Sequence, residues 1–240
     1  METSNNPYQS WGLIAAEASV NERADFIRRT YLHLGGAVMA FAGLEAVLLN
    51  VPGLADTLLR MLFSGGVAQV IFLVAFMGTA WIANAWAQSE ASPSLQYLGL
   101  GLYVVAEAVI FLPLLSFASR FYPDVIPAAG AMTLIIFGGL TAMVFLSKTD
   151  FSFLRMGLSI AGLAAIAVAF GAALFGFHLG LLFTGCMLAL ASGYILYDTS
   201  NVMHHYRVNQ HVAAALALFA SVAMLFYYVI RLLISLNSRD

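Results

Sequence analysis

Charge is what this chain has least of. Among its 240 residues only 9% are Asp, Glu, Lys or Arg, against 62% that are hydrophobic, and the formal net charge is -2. A soluble domain carries about a quarter charged residues, because its exterior must be wetted. So small a polar supply excludes a water-soluble fold of this length and leaves lipid as the solvent. The mean hydropathy of +0.89 agrees. No basic stretch is long enough to serve a nucleic acid. Cysteine is nearly absent as well: the one thiol, Cys186, lies in an apolar run, which excludes an intramolecular disulfide. Also missing is an apolar run ahead of Tyr31. Residues 1–30 are polar and mixed in charge, with Glu17, Glu22, Arg23, Asp25, Arg28 and Arg29. No cleavable signal peptide is therefore expected, and the first span serves as the insertion signal. Residues 1–30 read as a partly helical cytoplasmic arm and 31–240 as a transmembrane helical domain. No low-complexity segment or clear internal repeat interrupts either.

What is present in quantity is helix-length apolar sequence. A span needs about 20 mostly apolar residues. Seven segments qualify: 31–50, 67–87, 96–118, 125–147, 156–176, 179–200 and 213–236. Polar or turn-forming breaks separate them at Asn50–Gly53, Ser89–Pro93, Tyr122–Asp124, Lys148–Asp150 and Asp198–His211. The joint at Gly176–Gly180 is the weakest, and a six-span reading with part of 156–200 re-entrant stands beside the seven-span one. The positive-inside rule places the N-terminus in the cytoplasm. Arg23, Arg28, Arg29, Lys148, Arg155 and Arg207 then lie inside, and Arg60, Arg120, Arg231 and Arg239 outside. Trp81, Trp86 and Tyr97 fall at the inner boundary, Phe121 and Tyr122 at the outer one. The fifth span carries Gly157, Ala161, Ala165, Ala169 and Ala173, a small residue at every fourth position. That ridge suits close helix packing; lining a pathway is the other use for it.

An ionisable group at mid-membrane costs about 3 kcal/mol on insertion scales and usually faces the bundle interior. Glu107 sits at the middle of the third span, Asp198 near the end of the sixth and Glu45 near the end of the first. Arg231, near the end of the seventh, is the strong cation at matching depth to Glu45. Each lies five positions from its span's outer end, about 7–8 Å at the helical rise, so the two are expected to pair as an outer latch. Either one can alternatively snorkel to the interface. Enzyme constellations are missing. His204, His205 and His211 share one loop, but none lies three or four residues from another, so a helical zinc pair is excluded. Ser192, in Ala191-Ser192-Gly193, is similar to the serine of intramembrane proteases, but the seventh span holds no histidine to act as its base. No phosphate-cradling glycine loop is present. No enzymatic activity, cofactor or resident metal is expected.

Two segments carry a resemblance. Lys148-Thr149-Asp150-Phe151-Ser152-Phe153-Leu154, between the fourth and fifth spans, resembles the signature loop of the Bax inhibitor family, the transmembrane Bax inhibitor motif proteins. Gly193-Tyr194-Ile195-Leu196-Tyr197-Asp198-Thr199-Ser200-Asn201 resembles the pattern that ends that family's sixth helix. Phe111-Leu112-Pro113 matches more loosely. The resemblance implies an all-α polytopic bundle of seven helices, the last one central and wrapped by the other six. Bacterial members are similar to pH-sensitive calcium leak channels, in which aspartates on the sixth and seventh helices share a proton beside an arginine from the second.

Carried onto this chain, the first aspartate is Asp198 and the second falls at Ser221. The second span contains no arginine. Arg231 matches the arginine of the family's outer latch, whose glutamate falls near Gln69, so Glu45 would be its relocated substitute. Two close carboxylates share a proton; a serine instead donates to the ionised form. Asp198 is accordingly expected to be ionised near neutral pH and hydrogen-bonded to Ser221, leaving Glu107 as the mid-membrane acid. The resemblance implies a leak for calcium or another cation by way of Asp198 and Ser221, and the mid-membrane depth of Glu107 adds it to the pathway. The alternative is a non-transporting regulator of cell death or of a membrane-bound quality-control protease.

Overall fold

The computed structural model describes residues 12–89 and 92–238. Most of the arm's first residues, Glu90 and Ala91 of the second break, and Arg239 lie outside them. Among the described residues eight helices follow one another: α1 (Val20–Leu49), α2 (Leu54–Phe63), α3 (Gly66–Ala87), α4 (Pro93–Phe121), α5 (Val125–Ser147), α6 (Leu154–Phe175), α7 (Leu181–His204) and α8 (His211–Asn237). Seven are long and apolar enough to cross a membrane. The end of the bundle where α1 begins is called proximal here, the other end distal.

Local chemistry sets the boundaries. The first helix starts well before Tyr31, because Ser19 caps it: its Oγ accepts from the Glu22 backbone N–H, and the Glu22 carboxylate accepts from the Ser19 backbone. The doubtful joint is a true turn. Gly176 ends α6 at φ +72°, a conformation that costs a residue without a side chain little, and α7 begins at Leu181. Seven separate spans result. The element that sequence reading passes over is α2. Its ten residues are too few to span, and it lies at the distal end between α1 and α3.

The last helix is central. It packs against α1, α3, α4, α5 and α7. From Val212 to Leu216 every residue of α8 is buried, which marks a helix surrounded on all sides. The enclosure falls short of six helices, because α6 packs mainly on α3 and α7. Most of its side chains face outward, with only Leu158 and Ala173 buried. Lipid tails are as apolar as leucine, so close packing rather than escape from water holds these helices together. Aromatic rings do much of the filling: Phe111 of α4 packs edge-on against Phe41 of α1 and stacks on Phe226 of α8. Small residues permit the closest approach. At Gly99 of α4 a Cβ would stand 2.5 Å from the Ala83 carbonyl oxygen of α3.

The small-residue ridge of α6 packs over part of its length only. Gly157 and Ala161 are exposed. At the distal end the backbone of Ala173 lies where a side chain on Gly66 of α3 would have to go.

Candidate functional site

Three helical stripes bring the acids together. On α7, Ala191, Ile195, Asp198 and Val202 recur at helical spacing and are all buried. Asp198 therefore points where Ile195 points, at α8. On α8, Ser221 is also buried, and its Oγ donates to Asp198 Oδ2 at 2.5 Å. The register inferred from sequence is the register found. On α4 the buried stripe runs through Leu100, Tyr103, Val104, Glu107 and Phe111. Glu107 is 7% exposed and Asp198 9%. Tyr103, one turn before Glu107, lies within electrostatic reach of both Glu107 and Asp198. Sequence reading missed this tyrosine. Its spacing of four from a mid-span acid was the available signal.

Glu107, Asp198 and Ser221 line a single crevice of about 1150 Å³. It is walled by α3, α4, α6, α7 and α8, with Ala169 and Ala173 of the small-residue ridge in its wall. The ridge thus serves lining as well as packing. Arg231 and Gln69 also line it. Ser221 and Arg231 are ten residues apart on α8, so the arginine stands about 15 Å further along the axis at 1.5 Å per residue.

The expected latch between Glu45 and Arg231 is not formed. Arg231 donates to the Leu179 carbonyl at 3.1 Å and lies over the Tyr228 ring, 5.8 Å from its centre. Glu45 is 4% exposed, and neither carboxyl oxygen has a hydrogen-bond partner. Equal depth was a sound inference, but direction around the axis decides. Glu45 continues the α1 stripe of Leu34, Ala37 and Phe41, and Phe41 meets Phe219 of α8. Arg231 is twelve residues beyond Phe219, which at 3.6 residues per turn turns it about 120° away. The ion pair found at the distal end instead joins Arg120 of α4 to Asp56 of α2 at 3.0 Å. Both of its side chains are about half exposed, so it contributes about 0–1 kcal/mol.

At the proximal end the two motif segments touch. Ser200 Oγ accepts from the Phe151 backbone N–H at 2.9 Å and donates to Asp150 Oδ1 at 3.3 Å. Asp150 Oδ2 lies 3.2 Å from His205 Nε2. The Ser152 backbone N–H, together with His205, holds the Asp150 carboxyl down at about 2. Next to this clamp the arm is pinned to the α7–α8 loop, with the Ala15 N–H donating to the Tyr206 carbonyl at 2.8 Å. Among the described residues no group of three or more His, Cys, Asp or Glu side chains is arranged to hold a metal ion.

Comparison with known proteins matches residues 23–239 to the family described as inhibitor of apoptosis-promoting Bax1. The chain is similar to mouse protein lifeguard 4, 26% identical over 232 residues that cover 96% of this chain and 93% of that protein. It is similar to Bax inhibitor 1 of Schizosaccharomyces pombe, 29% identical over 60% of this chain and 54% of the relative. The modulator of FtsH protease YccA from Escherichia coli K12 is 30% identical over 49% of this chain and 53% of its own length.

Proposed function

Since this chain belongs to the family of inhibitors of apoptosis-promoting Bax1, we propose that it is a cation leak or exchange protein of the membrane, passing calcium or another cation by way of Glu107, Asp198 and Ser221. The observation that carries this reading is the convergence of two buried carboxyl groups, from α4 and α7, on one crevice. Hard cations are held by oxygen, and Tyr103 and Ser221 add hydroxyl oxygens beside the two acids. Acids placed deep in a span are costly, and their usual return is a transport or proton path. With serine in place of a second aspartate, the pathway lacks the shared proton of a carboxylate pair and runs without its pH gate. The proximal end is cytoplasmic in this reading: Arg23, Arg28, Arg29, Lys148, Arg155 and Arg207 gather there, against Arg60, Arg120 and Arg231 at the distal end.

The test is flux into liposomes that contain only the purified protein, read with an entrapped calcium dye. Wild-type protein should conduct, and Glu107→Gln should lower the rate about tenfold or more, a loss of about 1.4 kcal/mol. Equal flux in the two would remove Glu107 from the pathway.

One observation favours a second reading, regulation of a membrane-bound protease without transport. A relative over half the chain is named as a modulator of such an enzyme, and the clamp at Asp150 with the pinned arm presents a built surface at the proximal end. Absent flux, together with altered turnover of membrane-protease substrates in cells lacking the protein, would favour it.

A further inference from the structure

A crevice for bare metal ions needs little room, yet this one encloses about 1150 Å³. A water molecule occupies about 30 Å³, and sites for drug-sized ligands run from roughly 300 to 1,000 Å³. Its walls are aromatic: Phe72, Phe76 and Trp81 from α3, Phe183 from α7, Tyr227 and Tyr228 from α8. Glu107 and Asp198 share that space, and neither has a basic partner among the described residues. Rings beside unneutralised acids attract an organic cation twice, through the ring faces and through the carboxylates. Access fits the same class. Trp81 lines the crevice and is 74% exposed, which suits an opening on the α3 side. At the distal end Gly66 meets Ala173 and shuts α3 against α6.

We propose that the crevice binds lipophilic organic cations: an apolar aromatic body among the rings, a positive centre toward Glu107 and Asp198, and entry from the lipid beside Trp81. The inference rests on the reading of the crevice as a cation site and widens the cargo that the site accepts. Arg231 does not oppose it, because its backbone stands about 15 Å along α8 from Ser221 and its guanidinium is held by the Leu179 carbonyl.

Two ions of the same shape and opposite charge test it. Tetraphenylphosphonium and tetraphenylborate are titrated by calorimetry into the purified full-length protein in detergent. Saturable binding of the phosphonium is expected, with the borate at least tenfold weaker. Glu107→Gln and Asp198→Asn should each weaken phosphonium binding at least fivefold and leave the borate unchanged. Where one variant fails to fold, as read by its melting curve, the other decides. Equal binding of the two ions would mean a greasy slot filled by any apolar body, a lipid tail included, and would overturn the proposal. So would phosphonium binding that both folded variants retain. Calcium flux is read separately: flux without phosphonium binding sinks this inference alone, and phosphonium binding without flux sinks the leak reading alone.

Discussion

At Glu45 the bundle encloses a carboxyl group and offers it no hydrogen bond. A buried polar group left in that state costs about 1–3 kcal/mol. Glu45→Leu should therefore stabilise the protein and raise its Tm in detergent by several degrees. A lower Tm would show that Glu45 finds a partner in the assembled membrane protein. Ser221 is the opposite case, a polar group with its partner in place. Ser221→Asp would set a second carboxyl where the serine hydroxyl now meets Asp198. Two such acids share a proton and titrate as a pair. Liposome flux in that variant should depend more steeply on pH than flux in the wild type; equal profiles would show that the pair alone does not make a gate. These two sites also mark the limit of what the sequence discloses about side chains. Asp198 and Ser221 were legible because the family resemblance supplies a motif on α7 and a register for the segment that becomes α8. The Glu45–Arg231 pair was misread because depth follows from counting residues, whereas direction around the helix axis depends on which neighbour each face meets.

Among the elements, α3 and α4 pack closely, and Gly99 is where they do so. A methyl group there would meet the Ala83 carbonyl oxygen and, at 2.6 Å, the Ala87 nitrogen, while one at Gly101 would meet nothing within 4 Å. Gly99→Ala should cost about 1–3 kcal/mol by forcing the helices apart; Gly101→Ala should be near neutral. Thermal unfolding of the two variants compares them directly. The loop between α5 and α6 should respond to acid. Asp150 has its carboxyl held below the usual range, at about 2. A depressed acid adds stability above its unfolded value near 4, and that contribution is lost as pH falls through the folded value. Between about pH 4 and pH 2 the clamp should loosen, seen as faster hydrogen exchange at the Phe151 amide, which donates to Ser200. Asp150→Asn should exchange fast at every pH. The spans themselves were readable because each is a continuous apolar run with a break at either end. The short helix α2 was not, since ten amphipathic residues beside a glycine turn read equally well as loop. Nor was the meeting of the two motif segments, which are separated by about fifty positions and joined only by the fold.

For the molecule as a whole, seven crossings put the start of α1 and the end of α8 on opposite sides of the membrane. After Cys186→Ser, a single cysteine at Ser19 should react with an impermeant reagent only when the cytoplasmic face is open. One at Ser238 should react from the other face. Labelling of both from one side would leave room for only six crossings. The burial of α8 bears on how the protein is made. The helix that occupies the middle is the last of the seven to leave the ribosome. Until it arrives, α1, α4, α5 and α7 have no common partner, and the polar groups of Glu107 and Asp198 lie in a half-built ring without Ser221. Synthesis of this protein therefore passes through a stage in which α1, α3, α4, α5 and α7 are inserted without the helix they pack around. In that interval the nascent chain depends on the insertion machinery, or on lipid, to occupy the place that α8 will take.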